Sequence, residues 1–245
     1  MAEQQSGNPA LKNKAFQISA TGDEAAMTTG GVSFKALILL AICVVGGAYG
    51  WMLASQNAAS LWIWLIVGSF VGLGIALITG FKPKIAWLTG PLYAVTQGVL
   101  LGALSYWANL EFEGIVLQAV LVTGAIFLAT LLLYGTGLIK VSKKFVLGVI
   151  LATAGLALYY VAYLIFALFG IELPLVNSNS PWGIAFSVVV IILAALNLIL
   201  DFDFIKRAVA NRAPKYLEWY AGFSLIVTLL WLYVEVLRLL AKTRR

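Results

Sequence analysis

Residues 182–209 read WGIAFSVVVIILAALNLILDFDFIKRAV. No charge occurs from Trp182 to Leu200, and at ~1.5 Å of rise per residue a helix over this stretch reaches across the ~30 Å hydrocarbon core of a bilayer. The run is continuous, where a membrane strand would alternate apolar and polar positions, so it predicts a transmembrane helix whose charged end meets the headgroups. With this span placed at 182–205, six further runs, at 34–54, 61–79, 85–107, 115–134, 145–169 and 216–241, leave only short connections and no room for a second folded domain in the 245 residues. Hydrophobic residues make up 62% of the chain and charged residues 11%, with a mean hydropathy of +0.98, far from the usage of soluble domains. The expected fold is all-α, a polytopic seven-transmembrane-helix domain over residues 34–245. Residues 1–33 are polar and small, lack the design of a cleaved signal peptide, and are expected to form a flexible cytoplasmic tail.

Basic residues alternate between the connections. The tail with Lys35 carries three, the second connection Lys82 and Lys84, the fourth Lys140, Lys143 and Lys144, and the sixth Lys206, Arg207, Arg212 and Lys215. The first, third and fifth connections carry none, but hold Glu111, Glu113 and Glu172. That bias predicts a cytoplasmic N-terminus. An odd number of spans then sends Lys242, Arg244 and Arg245 outward against the bias, which leaves two readings: the last helix crosses, or it dips and returns. The net charge of +6 sits in membrane loops, where anionic lipid and topology account for it, so no nucleic-acid partner is expected.

The chain has no histidine, and Cys43 is its only cysteine. A structural disulfide, a Cys/His zinc site, an HExxH zincin and a Ser-His intramembrane protease are thereby excluded. The GxGD pattern of aspartyl intramembrane proteases is missing too, and the last span offers no lysine for a retinal Schiff base before Lys242. No enzyme and no organic cofactor are expected.

The acids divide by helix geometry. Asp201 and Asp203 lie about 200° apart, so they face different surroundings. Asp203 has Lys206 and Arg207 at the offsets that favour surface ion pairs. Asp201 has Phe204 and Ile205 there and Asn197 one turn back, a polar stripe that belongs in the bundle or a wet cavity because lipid penalises it by several kcal/mol. Glu218, in APKYLEWYAGF, follows Pro214 and stands in a first helical turn, where the helix dipole favours an acid; a structural and a functional role are equally open to it. The short sixth connection suggests that it lies beside Asp201. Glu235 and Arg238 are three apart near the opposite face and read as an interfacial ion pair. Tyr93, Gln97 and Ser105 approximate one polar stripe behind Pro91, suited to lining a pathway or to bonding between helices. Glycines four apart, Gly46 and Gly50, Gly68 and Gly72, Gly98 and Gly102, predict close helix packing.

NLILDFDFIKR, PKYLEWYAGF and WLYVEVLRLL, with NPAL in the tail, resemble the bacterial branch of the Bax inhibitor-one (transmembrane BAX inhibitor motif) family. The resemblance implies a bacterial cytoplasmic (inner) membrane protein with six helices around a central one. It also implies paired acids in the sixth and seventh helices that sense pH and govern a calcium leak, with an arginine at the cytoplasmic end of the second helix engaging the pair. By position the acids are Asp201 and Glu218, and the basic latch is Lys82 or Lys84. The expected function is a pH-sensitive cation leak with calcium as the ion, held at Asp201 and Glu218 with help from Asn197. Two acids held close and poorly hydrated would share a proton or a cation. The rival expectation is a non-transporting regulator that binds a membrane protease or stress factor through its tail or basic loops.

Overall fold

A computed structural model describes residues 25–56, 61–171, 175–176 and 178–244. Lys12, Lys14, Asp23 and Glu24 of the tail, the first connection at 57–60, Glu172 and Arg245 lie outside them. Seven helices follow in order: α1 (Thr29–Gln56), α2 (Leu61–Phe81), α3 (Ala86–Glu111), α4 (Ile115–Gly135), α5 (Lys143–Leu168), α6 (Pro181–Ala210) and α7 (Leu217–Arg244). Over the described residues, six of them meet both the length and the hydropathy of a membrane span, and α2 contains no charged residue. The protein is an all-α, multi-pass membrane protein.

Local chemistry sets the helix starts. Ser142 and Ser180 accept from Phe145 N and Gly183 N as side-chain caps, and Pro181 opens α6 with a φ already suited to a helix. Thr28 does the same for α1, its hydroxyl accepting from Gly31 N at 2.9 Å. This start is five residues earlier than the apolar run suggests. The preceding Ala25–Thr28, assigned from sequence to the tail, lies along the sixth connection: Met27 N donates to Ala213 O at 2.7 Å, and Lys215 N to Ala25 O at 3.0 Å. Met27 is buried among side chains of the bundle. Residues 25–33 therefore belong to the folded domain.

Helix α7 is the central helix. Its buried positions, among them Ala221, Gly222, Phe223, Leu225 and Ile226, run around the axis, as a helix enclosed on several sides requires. It packs on α1, α3, α4 and α6, and Tyr160 of α5 reaches it as well. The outer helices turn large apolar side chains such as Leu151, Leu158, Val189 and Ile192 outward, where lipid is the solvent.

The parallel pair α1 and α3 meets through glycine. A Cβ at Gly50 would strike the Val99 carbonyl, at Gly98 the Cys43 carbonyl, and at Gly102 the Gly47 carbonyl, so the backbones approach as closely as the glycine spacing predicts. Gly72 gives room to the Gln97 side chain between α2 and α3.

Contacts between loops sort the two ends of the bundle. Residues 25–28 touch the sixth connection, Lys84 lies over the Tyr216 ring at 5.9 Å, and Arg207 donates to Val141 O at 3.2 Å; these join the start of α1 and the second, fourth and sixth connections at one end. At the other end Arg244 donates to Glu113 O and Gln118 Oε1, and Lys242 to Leu175 O, joining the end of α7 to the third and fifth connections. Helix α7 thus crosses without a break, and the re-entrant alternative falls away. The two ends are called here the even-loop and odd-loop ends.

Candidate functional site

Asp201 lies nine residues before the end of α6, roughly 14 Å inside the even-loop end by helical rise. It is partly buried, and both carboxylate oxygens are held by hydroxyls of α7. Ser224 donates to Oδ1 at 2.6 Å and Thr228 to Oδ2 at 2.7 Å. Among the described residues no lysine or arginine forms an ion pair with it. A carboxylate inside an apolar bundle is costly, and here the Ser224 and Thr228 hydroxyls offset part of that cost.

Glu218 has a different neighbourhood. It is 1% exposed, and Thr28 donates to its Oε1 from both the backbone N at 2.9 Å and the hydroxyl at 3.1 Å. Lys35 of α1 binds Oε2 and also lies over the Trp219 ring at 5.7 Å. Gly31 leaves the room: a Cβ there would meet the carboxylate. Glu218 therefore caps the start of α1 with negative charge while opening α7, and both helix N-termini favour an acid there.

The expected pair of Asp201 and Glu218 is not formed. Asp201 meets α7 at Ser224 and Thr228, six and ten residues past Glu218, so the two acids are offset by about 9–15 Å along the helix. The reason is that α6 continues to Ala210, five residues beyond the end of its apolar run, which carries Asp201 deeper than a short connection implies. With the pair goes the calcium site built from both acids; among the described residues no three Asp, Glu or Cys side chains gather to hold a metal ion. Asn197 also departs from Asp201, donating to Thr153 Oγ1 of α5 at 2.8 Å and to Leu193 O. Lys82 is exposed, and Lys84 sits over Tyr216, so neither reaches the acids. The base that engages Glu218 is Lys35, whose only signal in the sequence is a charge in the first turns of an otherwise uncharged helix.

Tyr93, Gln97 and Ser105 serve three separate helix contacts. Tyr93 packs edge-on to Phe223 of α7 at 5.1 Å, Gln97 donates to Gly68 O of α2 at 3.3 Å, and Ser105 shares a 2.6 Å hydrogen bond with Tyr233 of α7. Asp203 pairs with Arg207 at 2.6 Å, as its spacing predicts. Glu235, expected at an interface, is 2% exposed inside the bundle, where it accepts from Tyr160 OH at 2.9 Å and from Arg238 at both oxygens.

These side chains reveal a register that the acids alone do not. On α7, Thr228, Glu235 and Lys242 recur at seven-residue spacing and so share one face; on α6, Ser187, Ala194 and Asp201 do the same. The two stripes run antiparallel, since Ser187 Oγ meets Lys242 Nζ at 2.9 Å and Asp201 meets Thr228. The same register sets the small Ala194 against Glu235. The α6–α7 seam therefore carries polar side chains in separate layers about 10 Å apart, Asp201 with Thr228, then Glu235, then Ser187 with Lys242.

In sequence comparison the Bax inhibitor 1 like family model matches residues 8–245. The chain belongs to the Bax inhibitor 1 like family. Comparison with curated proteins and with solved structures gives no match. In this Bax inhibitor 1 like protein the sixth-helix acid lies on the seam, whereas the acid that opens the seventh helix is engaged by the first.

Proposed function

We propose that this membrane protein is a non-enzymatic cation leak, with calcium the expected substrate ion, and that Asp201 is the carboxylate the ion meets inside the bundle. The observation that carries this reading is the state of Asp201: deep in the even-loop half, bonded only to the hydroxyls of Ser224 and Thr228, and paired with no base among the described residues. Those hydroxyls donate to the bare carboxylate and, turned about, offer oxygen to an arriving cation. A structural aspartate at this depth would more economically have a base beside it or be replaced by an apolar residue. The positive-inside bias supports a cytoplasmic even-loop end in the bacterial inner membrane.

The inner gate in this reading is Glu218 with Lys35 and Thr28. Releasing Lys35 frees the first turns of α1 from α7 close to the cytoplasmic end of the seam. Protonation of Glu218 removes the charge that holds Lys35 and favours release, while protonation of Asp201 removes the charge the cation needs. The pH response is then the sum of two opposed titrations at separate sites, not of one shared proton.

The test is calcium efflux from loaded vesicles that contain the full chain, followed as external pH is varied. Asp201→Asn is expected to lower the flux at least tenfold near neutral pH; a flux and pH profile equal to those of the unaltered protein would reject the reading. A regulator acting through a bound membrane partner remains the other class of function. Deleting residues 1–24 separates the two, because the leak is expected to survive the deletion and tail-mediated partner binding is not.

A further inference from the structure

Lys242 stands in the last turn of α7 at the odd-loop end, where a lysine can extend its ammonium outward into water. It does the opposite. The residue is 5% exposed, and its Nζ donates to the Leu175 carbonyl at 2.8 Å, the Ser187 hydroxyl at 2.9 Å and the Gly183 carbonyl at 3.0 Å. All three donors of the ammonium are thus spent on neutral oxygens, and among the described residues no carboxylate pairs with it. The nearest acid along its own helix face, Glu235, is held by Arg238 and Tyr160.

The backbone is arranged around this head group. Leu175 adopts φ +83°, a left-handed conformation that opposes any residue with a Cβ, and its carbonyl is one of the three acceptors. A Cβ at Gly183 would collide with the Ser178 carbonyl, so the fifth connection lies directly on the first turn of α6 only because glycine stands there. Carbonyls and a hydroxyl converging on one positive point, with no formal negative charge paired to it among the described residues, are the donor set that replaces the hydration shell of a monovalent cation.

We infer that the Leu175 and Gly183 carbonyls and the Ser187 hydroxyl form a monovalent-cation site at the odd-loop mouth of the α6–α7 seam, which Lys242 fills as a tethered ammonium ion. Its place as a plug rests on the leak reading above; its existence as a cation site does not. A cation moving along the seam from Asp201 passes Glu235 and then meets a like charge already seated in the last oxygen cage.

The experiment uses the full chain in detergent and in vesicles. Lys242→Ala deletes the atoms of n-propylammonium. Millimolar n-propylammonium is expected to raise the thermal midpoint of Lys242→Ala by several degrees and to leave the unaltered protein unchanged. Thallium(I) uptake into Lys242→Ala vesicles is expected to exceed that of the unaltered protein several-fold, and to fall again when n-propylammonium is added. A variant that neither gains stability from n-propylammonium nor leaks more overturns the inference. Gain of stability without any leak in either protein supports the cage and rejects the leak instead. If Lys242→Ala folds only with the amine present, the cage is supported; if it folds in neither condition, Ser187→Ala decides, with raised thallium(I) uptake in favour and unchanged uptake against.

Discussion

Glu218 and Lys35 are 183 residues apart in sequence and close one contact between the first helix and the last. Because Glu218 is almost fully buried, removing only its cation leaves a charge with nothing but Thr28 to satisfy it. Lys35→Met is therefore expected to cost about 3 kcal/mol, in line with broken buried pairs, while adding Glu218→Gln returns most of that loss. Thermal unfolding of the two single variants and the double variant measures it; costs that simply add would show that the side chains do not interact. The same scale shows where reading from residue spacing succeeds. Asp203 finds Arg207 because the partners share a helix and the offset alone decides. Asn197 parts from Asp201 because four residues leave a rotation of about 40°, enough at a boundary between neighbours to send one side chain to α5 and the other to α7.

Helix pairs hold together here by closeness and by polar layers, since lipid offers no hydrophobic drive for association. The α1–α3 seam depends on the absence of side chains at Gly50, Gly98 and Gly102, whose missing Cβ atoms leave room for facing carbonyls. Gly98→Leu is expected to part the helices and destabilise the protein by 3 kcal/mol or more, about the upper end of overpacking, whereas Gly148→Leu, where a Cβ meets open space, is expected to change stability by less than about 1 kcal/mol. Comparable thermal midpoints for the two would contradict the close seam. The glycine spacing was legible in the sequence because small residues four apart have one dominant use in membrane helices. The α6–α7 stripes were legible in principle, as sevenfold spacings of Thr228, Glu235 and Lys242 and of Ser187, Ala194 and Asp201. Their register was not, because it depends on how far α6 runs past Ile205, and the exposed turns there lack the apolar signal that marks a span.

At the scale of the whole molecule the decisive quantity is the parity of the crossings. Arg244 and Lys242 bond to the third and fifth connections, so the two ends of the domain lie on opposite faces of the membrane. Cys43 is buried, which makes single added cysteines clean reporters. Thr243→Cys is expected to react with a membrane-impermeant maleimide from outside intact cells and Lys215→Cys only after permeabilisation; equal labelling of both in intact cells would show that the last helix turns back.

The sequence by itself determined the all-α class, the seven apolar segments and the alternation of their loops, because bilayer thickness and the positive-inside bias act on segments one at a time. It also marked Asp201 as out of place in lipid, since a charge in an apolar run is costly wherever its neighbours lie. Tertiary structure decided what each charge touches. Lys35 replaces Lys82 and Lys84 as the partner of Glu218, Asp201 stands apart from Glu218, and Lys242 turns inward to neutral oxygens. These outcomes depend on depth and rotation between helices, and a few residues of extra helix are enough to change both.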